Sequence, residues 1–281
     1  FHAEEEKNDQ KFAEQLAAYA DIYVNDAFGT AHRAHASTVG IATLLPAYAG
    51  FLMEQEIAQL SNLLESPARP FAAIVGGAKV SGKLKVLDNL VSKVDILVLG
   101  GGMANTFLLA QGKAIGKSLA EHDMVDEASR VLAIAEQQGV KVILPVDVIV
   151  AKEVTRGTEY KTLLADKIPA SWHIVDIGKA TLEIMEAALA EARTVFWNGP
   201  LGVFEIPSFS HGTKDIARFL AERCDAGAAV VVGGGDSVAA IQQQGLASRF
   251  THISTGGGAS LEFLEGRDLP GVSILPDRGA A

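Results

Sequence analysis

The apolar positions of this chain change their period near residue 70. Before it, Glu4 to Tyr19 sets Phe12, Leu16 and Tyr19 at helical spacing among alternating charges, which predicts a surface helix, and Ile22-Tyr23-Val24 predicts a short strand. Gly50 to Glu65 carries Leu52, Met53, Ile57, Leu60 and Leu64 on one helical face. Bounded by Pro46 and Pro67, it reads equally as a connector between two compositional blocks or as a plain amphipathic helix. From Phe71 onward, short apolar runs alternate with stretches of helical spacing. Strands are predicted at 71–75, 95–99, 141–144, 194–197, 228–232 and 250–253, and helices near 81–93, 103–111, 123–137, 180–192, 210–222 and 236–244. Residues 152–168 lack this rhythm and read as a hairpin or excursion. The alternation predicts an α/β fold with a doubly wound, mainly parallel sheet.

Four of the predicted strands run into glycine turns and then into helical spacing: IVGGAKVSGKL from Ile74, LVLGGGMANTF from Leu97, VVVGGGDSVAAI from Val230 and HISTGGGASLEF from His252. The strand carboxyl ends of a parallel sheet share one side, so these turns predict one ligand edge. Backbone N–H groups and helix N-termini there suit an anion. Asp236 and Ser237 are natural helix caps, and Asp236 is equally a candidate magnesium ligand beside phosphates.

Composition narrows the picture. Apolar residues make up 48% of the chain, and its net charge of -10 argues against nucleic acid, whose binding rests on clustered cations. No run is long and apolar enough to suggest a membrane span, and no secretion signal is evident, so a soluble protein is expected. The lone Cys224 excludes an internal disulfide and a cysteine-based zinc cage. The chain starts at Phe1 and enters a helix at once, so it is expected to represent part of a longer protein.

Against this acidic background the local donors stand out. His32, Arg33 and His35, with Ser37 and Thr38, read as an anion-binding loop, with a metal site and ordinary loop hydrogen bonding as alternatives. Gly77 to Lys83 satisfies GxxxxGK, but Leu84 stands where a P-loop needs Ser or Thr for magnesium. What survives is Lys79 and Lys83, expected one helical turn apart and on one side of a helix start. The GxGxxG dinucleotide fingerprint fails at Asn105 and Leu261, which disfavours an NAD-dependent dehydrogenase. Trp197 to Glu205, WNGPLGVFE, is the least generic stretch: a rigid loop after a strand, ending on a carboxylate suited to ribose hydroxyls.

Together VNDAFGTAHRAHAST, GGAKVSGKL, GGGMANTF, FWNGPLGVFE, GGGDS and STGGGASLE resemble the signature segments of the phosphoglycerate kinase family, in the family's order and in bacterial wording, from Phe1 to about Arg278. The resemblance implies a Rossmann-like nucleotide lobe with a remnant of a second α/β lobe. It places the end of the phosphoglycerate-binding lobe at 1–45, an interlobe helix at 46–66, the nucleotide lobe at 67–264, and a returning C-terminal segment at 265–281. It implies reversible phosphoryl transfer between 1,3-bisphosphoglycerate and MgADP, giving 3-phosphoglycerate and MgATP in cytoplasmic glycolysis, by a monomer. It assigns Arg33 to the phosphoglycerate, Lys83 and Asn198 to nucleotide phosphate, Gly101 and Gly102 to the adenine side, and Glu205 to the ribose. Gly234, Gly235, Asp236 and Ser237 become the phosphate and magnesium turn, with Asp236 the Mg2+ ligand. Lys79, Gly257 and Gly258 lie near the migrating phosphoryl group. Because Phe1 falls in the middle of the acid-binding lobe, this polypeptide alone is expected to bind nucleotide with little turnover, and residues before about Leu45 to be poorly ordered. The alternative from another class is a nucleotide-binding module without catalysis.

Overall fold

The computed structural model describes residues 2–277; Phe1 and the last four positions of the expected 265–281 segment lie outside the described residues. Backbone contacts divide the chain into two units: Ser66–Ile253, and the described parts of Phe1–Glu65 with Ser254–Ala281.

The smaller unit opens with helices α1 (Ala3–Glu6) and α2 (Gln10–Ala17), where the sequence predicts one helix. Asn8 takes a positive φ of 54° and breaks the run, and the Asp9 carboxylate then caps α2 by accepting from the Phe12 N–H. Strands β1 (Tyr23–Asn25) and β2 (Ala47–Ala49) pair in parallel, so the segment before Leu45 has a sheet partner. Helix α3 (Phe51–Glu65) buries Met53, Leu60 and Leu63 together with a carboxylate, Glu56, which accepts from the Thr255 N–H at 2.6 Å and the Thr255 hydroxyl at 2.9 Å.

The larger unit begins with β3 (Phe71–Val75), α4 (Leu84–Val91), β4 (Ile96–Leu99), α5 (Gly101–Ala110), α6 (Val125–Gln137) and β5 (Lys141–Ile143). Next come β6 (Asp147–Ala151), β7 (Tyr160–Leu164), β8 (His173–Ile177), α7 (Lys179–Leu189) and β9 (Thr194–Asn198). The unit ends with α8 (His211–Asp225), β10 (Ala229–Gly233), α9 (Gly235–Gln243) and β11 (His252–Ile253). The smaller unit then adds α10 (Gly258–Leu264) and α11 (Pro270–Ser273).

Six strands form one sheet in the order β11-β10-β9-β3-β4-β5, every neighbouring pair parallel. From β3 the chain winds outward through β4 to β5, and from β9 it winds the other way through β10 to β11. Right-handed crossovers therefore place α4 to α6 and α8 to α9 on opposite faces, and the strand order reverses between β3 and β9. Ile74, Val98, Trp197 and Val232 point to one face and pack against Met185 and Leu189 of α7, Ile216 and Leu220 of α8, and Ile241 of α9.

The stretch 152–168 contributes β7 to a second sheet, antiparallel and three-stranded, in the order β7-β6-β8. Val148, Val150 and Trp172 of this region pack with Leu108 and Ile115 beside α5. Helix α4 starts at Leu84, three residues later than predicted, because 77–83 is a loop.

Candidate active site

Four turns leave the six-stranded sheet at one level. Leu99, Val75, Asn198 and Gly233 are register partners across β4, β3, β9 and β10, so the turns that follow them start side by side. Three of these turns are bound to one another through backbone. The Gly76 N–H donates to the Asn198 carbonyl (2.8 Å), the Gly77 N–H to Pro200 (2.9 Å), the Gly101 N–H to Leu201 (3.1 Å) and the Met103 N–H to Gly77 (2.9 Å). Glycine is required at two of these points by close approach: a Cβ on Gly76 would overlap the Pro200 carbonyl, and one on Gly101 would lie 2.7 Å from Gly77 N. Much of the glycine grammar thus serves turn-to-turn packing, and several N–H groups that seemed available for an anion are already spent.

The lysines separate. Since 77–83 is not helical, the expected same-side placement of Lys79 and Lys83 does not hold. Lys83 folds back beneath the turns, its Nζ donating to the carbonyls of Gly76 (2.6 Å) and Asn198 (3.1 Å). Burial lowers its pKa to about 8, opposed by the charge of Asp236. Lys79 is exposed and faces Glu121, whose carboxylate accepts from the Ser81 N–H (2.9 Å) and hydroxyl (2.5 Å) and so ties down the loop. Burial pushes the Glu121 pKa up, but the Ser81 bonds, a Val80 backbone bond and Lys79 together bring it below the usual carboxylate value. Asn198 is buried, and its Nδ2 has no hydrogen-bond partner; a Cβ on Gly234 would come 3.0 Å from it.

Helix α9 is entered through Gly234 at φ 86°, which is its N-cap, so Asp236 and Ser237 lie inside the first turn and cap nothing. The Ser237 hydroxyl instead accepts from the Gly199 N–H at 2.6 Å, locking the 199–206 loop to α9. The N–H groups of Gly235, Asp236 and Ser237 open α9 with no intrahelical acceptor and no side-chain cap. Asp236 is exposed beside Lys83, and no group of three His, Cys, Asp or Glu forms a metal cage among the described residues. A single carboxylate at a glycine turn that opens a helix is a donor set that fits a magnesium ion taking its other ligands from an anionic ligand and water.

A cleft of about 320 Å³ opens at this edge, lined by Gly77, Gly101, Gly102, Asn105, Leu201, Glu205 and Asp236, with an apolar wall from Val148, Ile174, Val175 and Ile177. The structure thus brings Gly101, Gly102, Glu205 and Asp236 to one cavity, with Lys83 and Asn198 beneath the same turns. The pattern of the sequence did not mark Asp147 and Asp176. Asp147 on β6 accepts from the N–H groups of Ala180 (3.1 Å) and Thr181 (2.7 Å) and caps α7. Asp176 on β8, also part of the cleft wall, accepts from the Gly212 N–H (2.9 Å) at the start of α8. Burial pushes its pKa to about 7, against backbone hydrogen bonds that lower it and Asp215, which raises it further. No local signal marks either one, because the helix starts they cap lie 33 and 36 positions further along the chain.

The remaining candidates lie in the smaller unit. Arg33 is exposed on the loop after β1. His32 Nδ1 is buried without a partner, and its Nε2 would lie 3.7 Å from a Cβ on Gly258. The fourth glycine turn therefore joins the Arg33 loop, with Gly257 at φ 52° leading into α10. Glu262 and Phe263 follow in that helix, where Phe263 meets Phe28 edge to face.

A sequence model of the family described as phosphoglycerate kinase matches residues 1–267. The chain is 59% identical over 278 residues to a phosphoglycerate kinase of Pelotomaculum thermopropionicum, covering 99% of this chain and 70% of that protein. It is 55% identical over 278 residues to one of Moorella thermoacetica, with the same coverage. Among solved structures, the phosphoglycerate kinase of Coxiella burnetii superposes with a TM-score of 0.91 at 45% identity, over 98% of this chain and 70% of that one. That of Pyrococcus horikoshii superposes with a TM-score of 0.83 at 37% identity over the same shares.

Proposed function

The chain belongs to the phosphoglycerate kinase family, and from that premise we propose that the turns at the carboxyl edge of its six-stranded sheet hold ADP or ATP. The reaction is reversible in-line transfer of a phosphoryl group between 1,3-bisphosphoglycerate and ADP, giving 3-phosphoglycerate and ATP. The observation that carries the assignment is the pairing of a half-buried cation, Lys83, with the unpartnered Asn198 Nδ2 beneath turns that start in register at a topological switch point.

The phosphates take Lys83, Asn198, the N-cap residue Gly234 and the opening N–H groups of α9 at Gly235, Asp236 and Ser237. The Lys83 cation already holds two carbonyls, so it is pre-placed rather than recruited, and an incoming phosphate offsets the desolvation that burial imposes on it. Asp236 is the carboxylate that would hold magnesium, which when bound neutralises charge on the phosphate oxygens. Gly101 and Gly102 flank the adenine beside the apolar cleft wall, and Glu205 accepts from the ribose hydroxyls. Lys79 stands near the transferred group on a loop that Glu121 ties down. Arg33 takes the phosphoglycerate in the smaller unit, and Gly257 and Gly258 act in the transfer step. Phosphoryl transfer of this kind needs alignment and charge neutralisation more than covalent chemistry. Cytoplasmic glycolysis as a monomer completes the reading; no helix among the described residues is long and apolar enough to cross a membrane.

Calorimetric titration with MgADP tests the assignment. Lys83→Met and Glu205→Ala should each weaken binding roughly ten- to a hundredfold, the size of one charged hydrogen bond, with folding intact. A folded parent that does not bind MgADP, or variants that bind as the parent does, would refute it.

A further inference from the structure

We propose that Asp176 is a positioning residue for nucleoside recognition, setting the loop that carries Glu205; this rests on Glu205 being the ribose acceptor. The loop 199–206 leaves β9 and runs beside the middle of β8, where the Val203 N–H donates to the Val175 carbonyl at 2.8 Å. The next residue of β8 is Asp176, only 2% exposed. Gly202, three positions before Glu205, packs so closely on it that a Cβ there would overlap Oδ1. Oδ1 also accepts from the Ile177 N–H at 2.9 Å, while Oδ2 accepts from the Gly212 N–H at 2.9 Å. Helix α8, anchored by that second bond, returns to the loop: the Thr213 hydroxyl accepts from the Leu201 N–H at 2.9 Å. One carboxylate therefore lies against the loop at Gly202 and anchors the helix that holds it at Leu201, on the side away from the Gly199 bond to Ser237. Glu205 itself is exposed at the cleft, so its aim depends on where the loop is held.

Asp147 supplies an internal control. It caps α7 with the same chemistry from the neighbouring strand, through Ala180 and Thr181, but it makes no contact of this kind with the 199–206 loop. A carboxylate needed only to cap a helix would behave as Asp147 does.

The probes are ADP and 2′,3′-dideoxy-ADP, each with magnesium, titrated calorimetrically into the parent chain and into variants whose folding is checked by circular dichroism and melting. The parent should bind ADP at least about tenfold more tightly than the dideoxy analogue, the worth of one charge-assisted hydrogen bond to the ribose. Glu205→Ala should abolish that preference. Asp176→Asn, which keeps the shape but cannot offer two acceptor oxygens, should lose most of it, and Gly202→Ala, which displaces the loop with the carboxylate intact, should do the same. Asp147→Asn should lower the melting temperature and keep the preference. If Glu205→Ala abolishes the preference while Asp176→Asn and Gly202→Ala retain it, Asp176 has no positioning role. If Asp176→Asn does not fold, Gly202→Ala decides alone. If the parent shows no preference, or Glu205→Ala keeps it, the ribose assignment falls and takes this proposal with it.

Discussion

The two units of the chain are held together differently. In the larger one every residue of β3 and β9 is buried, and Trp197 is fully enclosed between the sheet and its helices. The smaller one has a two-stranded sheet, leaves Tyr19 and Phe51 88% and 89% exposed, and relies on polar ties between distant segments. Asn25 Nδ2 donates to the Gly271 carbonyl at 3.2 Å, and the buried Glu56 takes two bonds from Thr255. A sheet covered on both faces is stabilised by apolar area; a two-stranded one needs specific partners to bring its pieces together.

The contrast is sharpened most by paired truncations. Trp197→Ala should cost about 3–5 kcal/mol in denaturant unfolding, whereas Phe51→Ala should stay within about 0.5 kcal/mol. Similar costs for both would remove the distinction. A smaller effect is expected from pH. The Asp176 carboxyl is raised from 3.8 to about 7 in the fold, so its contribution to stability is complete below about pH 4 and is lost as the pH climbs through about 7. Asp176→Asn should flatten that part of the stability profile; an unchanged slope between pH 4 and 7 would show that the group titrates normally. Smallest of all, Ser81→Ala should release the 77–83 loop from Glu121 at a cost near 1 kcal/mol or less, seen as faster local hydrogen exchange with an unchanged melting temperature.

How much could be foreseen follows the same division. Strand β3 begins and ends where its β-branched and apolar run does, and the doubly wound parallel sheet followed from the alternation. The antiparallel sheet did not, because β6 and β8 place Asp147 and Asp176 inside otherwise apolar runs, and a buried carboxylate looks like a turn until its helix cap is known. Ser237 was misread for the converse reason: a serine at a helix start suggests a cap, and its actual partner, Gly199, lies 38 positions away. The spacing of Lys79 and Lys83 implied a helix that the 77–83 loop does not form, since Lys83 is drawn under the turns by two carbonyls. Local propensity could not express any of these long-range bonds.

The central claim is that nucleotide occupies the carboxyl edge of the six-stranded sheet, and hydrogen exchange with and without saturating MgADP tests it most directly. The account predicts slowed exchange in the turns at 76–83, 100–103, 198–206 and 233–237, with the outer strand β7 unchanged. MgADP that binds but leaves all four turns unprotected, or protects β7 instead, would contradict it.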